Sequence, residues 1–260
     1  MIEIKEQKCC AKEENTCGDK PVISDHFIAV IDGATPKGKK LWNGQKGDAY
    51  VAGIIAEAIE GLDKDISAKE AIEIINQKVR EQYDDFDSLD PAERLQASIV
   101  IYSAARKEVW SFGDCKFLIN DKEYQDVKKG DILLAELRAF VMECAEVNHQ
   151  QIDGREQILP FLKIYPFLAN TDKSFGYDVI NGGVIHADHV KVYPVQSGDC
   201  VVLASDGYPK LLNTLDKSET YLEKALQEDP QCTGILRGTK GIVKQGSSFD
   251  DRTYIRFTVD

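Results

Sequence analysis

Seven short runs rich in β-branched or aromatic residues, at 27–31, 98–102, 109–112, 116–119, 190–195, 200–204 and 254–259, set the limits on what this chain can fold into. Each is long enough for a strand and too short for a buried helix. The runs at 98–102, 109–112 and 116–119 follow in quick succession, which predicts antiparallel pairing through short turns. Two helices are expected between the first run and the second. Val51, Ile54, Ile55, Ala58, Ile59 and Leu62 share one helical face. Ser67 with Glu70 three residues on forms a capping box ahead of Ile72, Ile75, Val79 and Tyr83. A third helix is predicted over 132–147, with Leu133, Leu137, Phe140, Cys144 and Val147 as its apolar stripe, and a fourth after Ser218, with Leu222, Ala225 and Leu226 inward. Strands and helices in this order specify an α+β fold, with helices packed outside an antiparallel β core.

Charge narrows the function. The 260 residues carry 32 Lys and Arg against 44 Asp and Glu, a formal net charge of −12. Nucleic-acid binding and attachment to an anionic membrane both draw on clustered cations, so neither is expected. A hydrophobic fraction of 43% excludes whole-chain disorder. No apolar run reaches membrane-spanning length; the best, 158–169, is broken by Lys163. The first twelve residues are charged and lack a signal-like apolar stretch, and the seven cysteines are irregularly spaced. They read as reduced thiols, with the cytoplasm as the expected location. No linker divides the chain, so one domain over 1–260 is expected, with a helical insert at about 120–175.

The chemistry sits at strand ends. Asp32 closes FIAVIDGAT, Asp114 lies within VWSFGDCKFLI, Asp206 ends VVLASDGY, and Asp250–Asp251 opens the strand of SSFDDRTYIRF. Any one Asp-Gly or Gly-Asp pair is an ordinary turn signal. Four acidic sites, each joined to an apolar run, can instead be gathered at one rim of a β core. Crowded carboxylates there repel unless a cation neutralises them, and all-oxygen ligation suits Mg²⁺, Mn²⁺ or Ca²⁺. The glycine after Asp32 leaves a carbonyl open to an ion.

These segments resemble, in order, the motifs of the metal-dependent protein phosphatase 2C (PPM) family. FIAVIDGA is similar to its strand–Asp-Gly motif, LQASIVIYS with EVWSFGDCKFLI to its paired strands, GDCVVLASDGYPKLL to its Ala-Ser-Asp-Gly segment, and FDDRTYIRFTV to its closing strand. The resemblance implies an α-β-β-α sandwich and a protein serine/threonine phosphatase acting on a phosphoprotein. It implies two ions of Mg²⁺ or Mn²⁺, with a weaker third. Asp32 is implied to bridge two metals and, with Asp206, to carry catalysis. The Gly33 carbonyl would bind one metal, Asp206 and Asp250 would complete the other, and Asp114 would hold the third. The chain departs from the family at KEENTCGD, where Glu14, Asn15, Thr16 and Cys17 stand near the expected acids. Lys12 or Lys8 stands in for a phosphate-gripping arginine, Ala34-Thr35 replaces a histidine, and Asp251 replaces an asparagine. A catalytically silent relative that binds a partner is therefore an alternative.

A nucleotide-binding protein is a further alternative, because Gly33 to Lys39 reads G-x-x-x-x-G-K after a strand. Lys40 stands where such a loop needs a magnesium-binding hydroxyl. Cys9, Cys10 and Cys17 lack zinc-ligand spacing and read as incidental thiols. His186 and His189 read as surface residues, and Cys115 and Cys200 as small buried hydrophobes.

Overall fold

The computed structural model describes residues 2–12, 16–242 and 248–260. Its centre is two five-stranded antiparallel sheets. One has the order β1-β10-β9-β6-β7, the other β2-β3-β4-β5-β8. The strands are β1 (Ile4–Cys10), β2 (Asp19–Ile23), β3 (Phe27–Gly33), β4 (Ala97–Ser103), β5 (Glu108–Phe112), β6 (Lys116–Ile119), β7 (Lys122–Gln125), β8 (Lys191–Pro194), β9 (Cys200–Ala204) and β10 (Arg252–Thr258).

Alternation along the strands builds two cores. Ile28 and Val30 of β3 and Val100 and Tyr102 of β4 meet Val201 and Leu203 of β9 and Ile255 and Phe257 of β10 between the sheets. The intervening residues, Phe27, Ala29, Ile31, Ile99 and Ile101, face outward onto α1 (Gly47–Glu60) and α2 (Ala68–Arg80). The Ser67–Glu70 capping box opens α2 as the sequence predicts. On the far side, α5 (Leu215–Glu228) lies over β1 and β10, where Glu219 pairs with Lys8 at 2.7 Å and with Arg252 at 3.0 Å. The layers are therefore helix, sheet, sheet, helix, the α+β sandwich expected from the sequence.

Three expectations are corrected. The runs at 109–112 and 116–119 do not pair. Gly113, at φ +100°, turns the chain out of one sheet, and β6 joins β9 and β7 in the other. The fourth helix begins at Leu215, capped by the Thr214 hydroxyl, and Ser218 lies buried inside it. The third helix, α3 (Lys129–Val147), does not bury the predicted stripe: Leu133, Phe140 and Val147 are exposed. It packs instead through Leu134 against Ile158 and Leu162 of α4 (Gly154–Ile164), a small core separate from the sandwich. Among the described residues no helix is long and apolar enough to cross a membrane.

Candidate active site

Antiparallel strands bring opposite ends of neighbours together, and this topology puts every predicted acidic segment at one rim. Asp32 and Gly33 are the last residues of β3 and pair with Ser98 and Ala97 at the start of β4. Asp114 follows β5, and the Ser98 hydroxyl donates to it at 2.5 Å. Asp206 follows β9 across the sandwich, and Asp250 and Asp251 precede β10, the neighbour of β9. Asp32, Asp114, Asp206 and Asp250 line one cavity of about 140 Å³. Gly33 is required for close approach: a Cβ there would sit 2.3 Å from the Asp48 carbonyl oxygen.

Asp19 belongs to the same rim and escapes a sequence reading. It opens β2 directly opposite Asp32 in the register and is buried. The Ser205 hydroxyl donates to it at 2.6 Å and the Thr253 hydroxyl at 2.9 Å. These are the serine of the Ala-Ser-Asp-Gly segment and the threonine of the closing strand, so two motif residues orient an aspartate that neither motif contains. In the sequence Asp19 follows Gly18 and reads as a turn; only its pairing with β3 reveals it.

The carboxylates divide by partner. Lys12 and Lys240 hold Asp250 at 2.9 and 2.5 Å, and Lys128 holds Asp114 at 2.8 Å. Burial opposes the charge of both, but these ammonium groups outweigh it and keep Asp250 and Asp114 below the usual carboxylate range. Asp32 and Asp206 form no ion pair or side-chain hydrogen bond among the described residues. Burial, and then Asp206, Asp19, Asp114 and Asp250, push Asp32 well above its ordinary value. Burial, Asp250 and Asp114 raise Asp206 to about 7. Asp251 is occupied structurally. It accepts from the Lys12 amide at 2.8 Å and the Gly18 amide at 3.0 Å, tying the chain after β1 to the rim. Three donors converge on it, counting the Lys12 ammonium at 3.2 Å, which suits a carboxylate better than an amide.

The fit to divalent cations rests on that surplus of charge. Hard oxygen donors surround Asp32, and a cation is what would relieve their repulsion. Among the described residues no three His, Cys, Asp or Glu side chains stand at ion-holding geometry. Asp114 and Asp250 are turned to lysines, so metal would have to take them from those partners. Lys12, offered by the sequence as a substitute cation, reaches the rim; Lys8 instead pairs with Glu219. Glu14 and Asn15 lie outside the described residues. Cys9 and Cys17 come within 3.7 Å of each other, whereas the Cys10 thiol is directed to the Ala11 carbonyl.

The phosphate-loop reading meets a different geometry. No helix follows Gly33 to Lys39; α1 starts at Gly47. The amides of Lys39 and Lys40 already cradle a carboxylate, that of Glu93, at 3.0 and 2.8 Å. His189 pairs with Asp178 at 2.9 Å and is exposed. Cys115 is buried as expected; Cys200 is only partly so.

No protein-family model matches the sequence, and no curated protein matches it significantly. Solved structures do match its fold. The catalytic domain of the serine/threonine protein phosphatase PstP in complex with two manganese ions aligns over 98% of this chain and 97% of its own, at 12% identity and TM-score 0.53. The serine/threonine phosphatase Stp1 from Staphylococcus aureus aligns over 100% and 96%, at 12% identity and TM-score 0.52. A bacterial serine phosphatase aligns over 100% and 98%, at 11% identity and TM-score 0.52. The chain therefore has a protein phosphatase 2C-like fold.

Proposed function

We propose that the chain is a metal-dependent phosphate monoester hydrolase acting on phosphoserine or phosphothreonine of a protein, with Mg²⁺ or Mn²⁺ as cofactor. The observation that carries this reading is Asp32, a half-buried carboxylate among Asp19, Asp114, Asp206 and Asp250 that has no ion pair among the described residues. Asp32 and the Gly33 carbonyl, with Asp206 and Asp250, are the groups that would hold two ions, and Asp114 a third. Bound divalent cations supply Lewis-acid polarisation of a phosphoryl oxygen and a lowered pKa for an attacking water. Asp19, opposite Asp32 in the register, is held in place by the Ser205 and Thr253 hydroxyls. No side chain here needs to act as a covalent nucleophile. The test is turnover of an aryl phosphate and a phosphopeptide with Mn²⁺. Activity should stop on chelation and fall by orders of magnitude in Asp206→Asn; near-wild-type rates in that variant at saturating Mn²⁺ would refute the assignment.

A second reading is a silent relative that binds a phosphorylated partner. It is favoured by one observation: lysines already neutralise Asp250 and Asp114. Absence of metal-dependent turnover together with phosphopeptide binding would select it.

A further inference from the structure

The cavity that holds the aspartates, Asp131 among them, is also lined by cations. Arg155, in the first turn of α4, and Lys37, in the loop after β3, line the same cavity as Asp32, Asp206 and Asp250, with Lys240 beside them. These cations stand close enough to oppose one another. Burial, and then the charges of Arg155 and Lys240, bring the Lys37 ammonium down to about 7. Lys240 has a carboxylate partner in Asp250. Among the described residues, Arg155 and Lys37 form no ion pair. Lys37 donates to the Thr35 carbonyl at 2.5 Å. Arg155 commits only Nη1, to the Thr239 carbonyl at 3.1 Å and hydroxyl at 3.3 Å, which leaves Nε and Nη2 without an acceptor among the described residues.

Asp131 and Asp250 attract both cations from within the cavity but pair with neither among the described residues, so an anion bound between Arg155 and Lys37 would relieve their mutual repulsion. A guanidinium with two free nitrogens on one edge matches two oxygens of a phosphate, and an ammonium adds a point charge beside it. We propose that Arg155 and Lys37 form an anion subsite that receives the phosphate group of the substrate, placing that recognition on α4 and the β3–α1 loop instead of on the segment after β1. The ligand class is a phosphate monoester dianion or the inorganic phosphate released from it. Identification with substrate, rather than with some other phosphate, rests on the hydrolase reading above. The arrangement also gives the segment carrying α3 and α4 a role: it supplies Arg155 to the cavity lining.

The test is calorimetric titration of inorganic phosphate into the Mn²⁺-loaded protein, with Arg155→Ala, Lys37→Met and the exposed control Lys64→Ala. Losing either charged donor should weaken phosphate binding at least about tenfold, the scale of one charge-assisted pair. Lys64→Ala should leave it unchanged, and the Mn²⁺-induced melting shift should persist in all three. In turnover of an aryl phosphate, the two cavity variants should raise KM more than they lower kcat. Unchanged phosphate affinity in both cavity variants, or no phosphate binding by wild type at millimolar concentrations, would overturn the proposal. If wild type binds no Mn²⁺ yet binds phosphate through Arg155, the anion subsite stands and the hydrolase reading falls. Should Arg155→Ala lose its fold by circular dichroism, Lys37→Met and Arg155→Lys carry the test, because lysine keeps the charge and loses the fork.

Discussion

Replacing Asp206 by Asn should stabilise the metal-free protein while removing much of its response to metal. Burial and the charges of Asp250 and Asp114 hold the Asp206 carboxyl at about 7. Its ordinary value is about 4, so the folded state binds this proton more tightly than the unfolded state does. Metal-free stability from this group is therefore greatest below about pH 4 and declines as pH rises from about 4 to about 7. At neutral pH the penalty approaches about 4 kcal/mol. Asparagine keeps the size and removes the charge. Because neighbouring carboxyls share the repulsion, the variant should recover only part, about 1–2 kcal/mol. Each kcal/mol moves the melting temperature of a chain this size by about 2–4 °C. The assay is thermal unfolding of wild type and Asp206→Asn in chelator and in saturating Mn²⁺, at about pH 5 and about pH 7.5. In chelator the variant should melt higher, and the gap should widen with pH. In Mn²⁺ the order should reverse, because wild type gains the binding energy. A variant that melts lower than wild type in chelator at neutral pH, or that keeps the full Mn²⁺ shift, would refute the account of the rim as repelling carboxylates awaiting a cation.

Other consequences follow from neighbouring residues. Asp32→Asn should abolish metal-dependent turnover, whereas Lys39→Ala, which removes an exposed side chain and leaves its amide on Glu93, should stay within a few-fold; the reverse ranking in an aryl phosphate assay would favour a nucleotide loop. Gly33→Ala should cost about 1–3 kcal/mol in denaturant unfolding and weaken Mn²⁺ binding, because its Cβ would force the Asp48 and Gly18 backbones apart. Glu219 is raised by burial, but hydrogen bonds from Arg252, Lys8 and Tyr208 outweigh that and hold it at about 2. Its contribution is then present above about pH 4.5 and lost as pH falls towards 2; Glu219→Gln should flatten that part of the stability profile in acid titration.

The strands that could be read from sequence and those that could not differ by position in the sheets. Each interior strand has an apolar inward face, and β3, β4, β5, β6, β9 and β10 all stand out in the sequence. Of the four edge strands only β8 does. β1 reads IKEQKCC, half polar, and takes its hydrogen bonds from β10 on one side alone. β2 is five residues with Pro21 inside, which an edge tolerates because one flank needs no donor. β7 is four largely polar residues. Asp19 is hidden for the same reason: it lies on an edge strand whose existence depends on pairing with β3. The stripe of α3 misleads in the opposite sense. Its periodicity predicts a helix, which forms, but nothing in the sequence says which face meets a neighbour, and Leu134 and Ala135 turn inward instead of Leu133 and Phe140.

What the sequence determined by itself was local: which segments become strands and helices, and where an apolar run stops at an aspartate. Those depend on side-chain periodicity and backbone freedom within a few residues. What only the tertiary structure decided was convergence. Sheet order puts the ends of β3, β5, β9 and β10 on one rim, the register sets Asp19 opposite Asp32, and packing of α4 against α3 brings Arg155 to the cavity beside Lys37. Contacts between residues far apart in the chain fix these placements, and burial then shifts Asp206 and Lys37 from their ordinary pKa values towards neutrality.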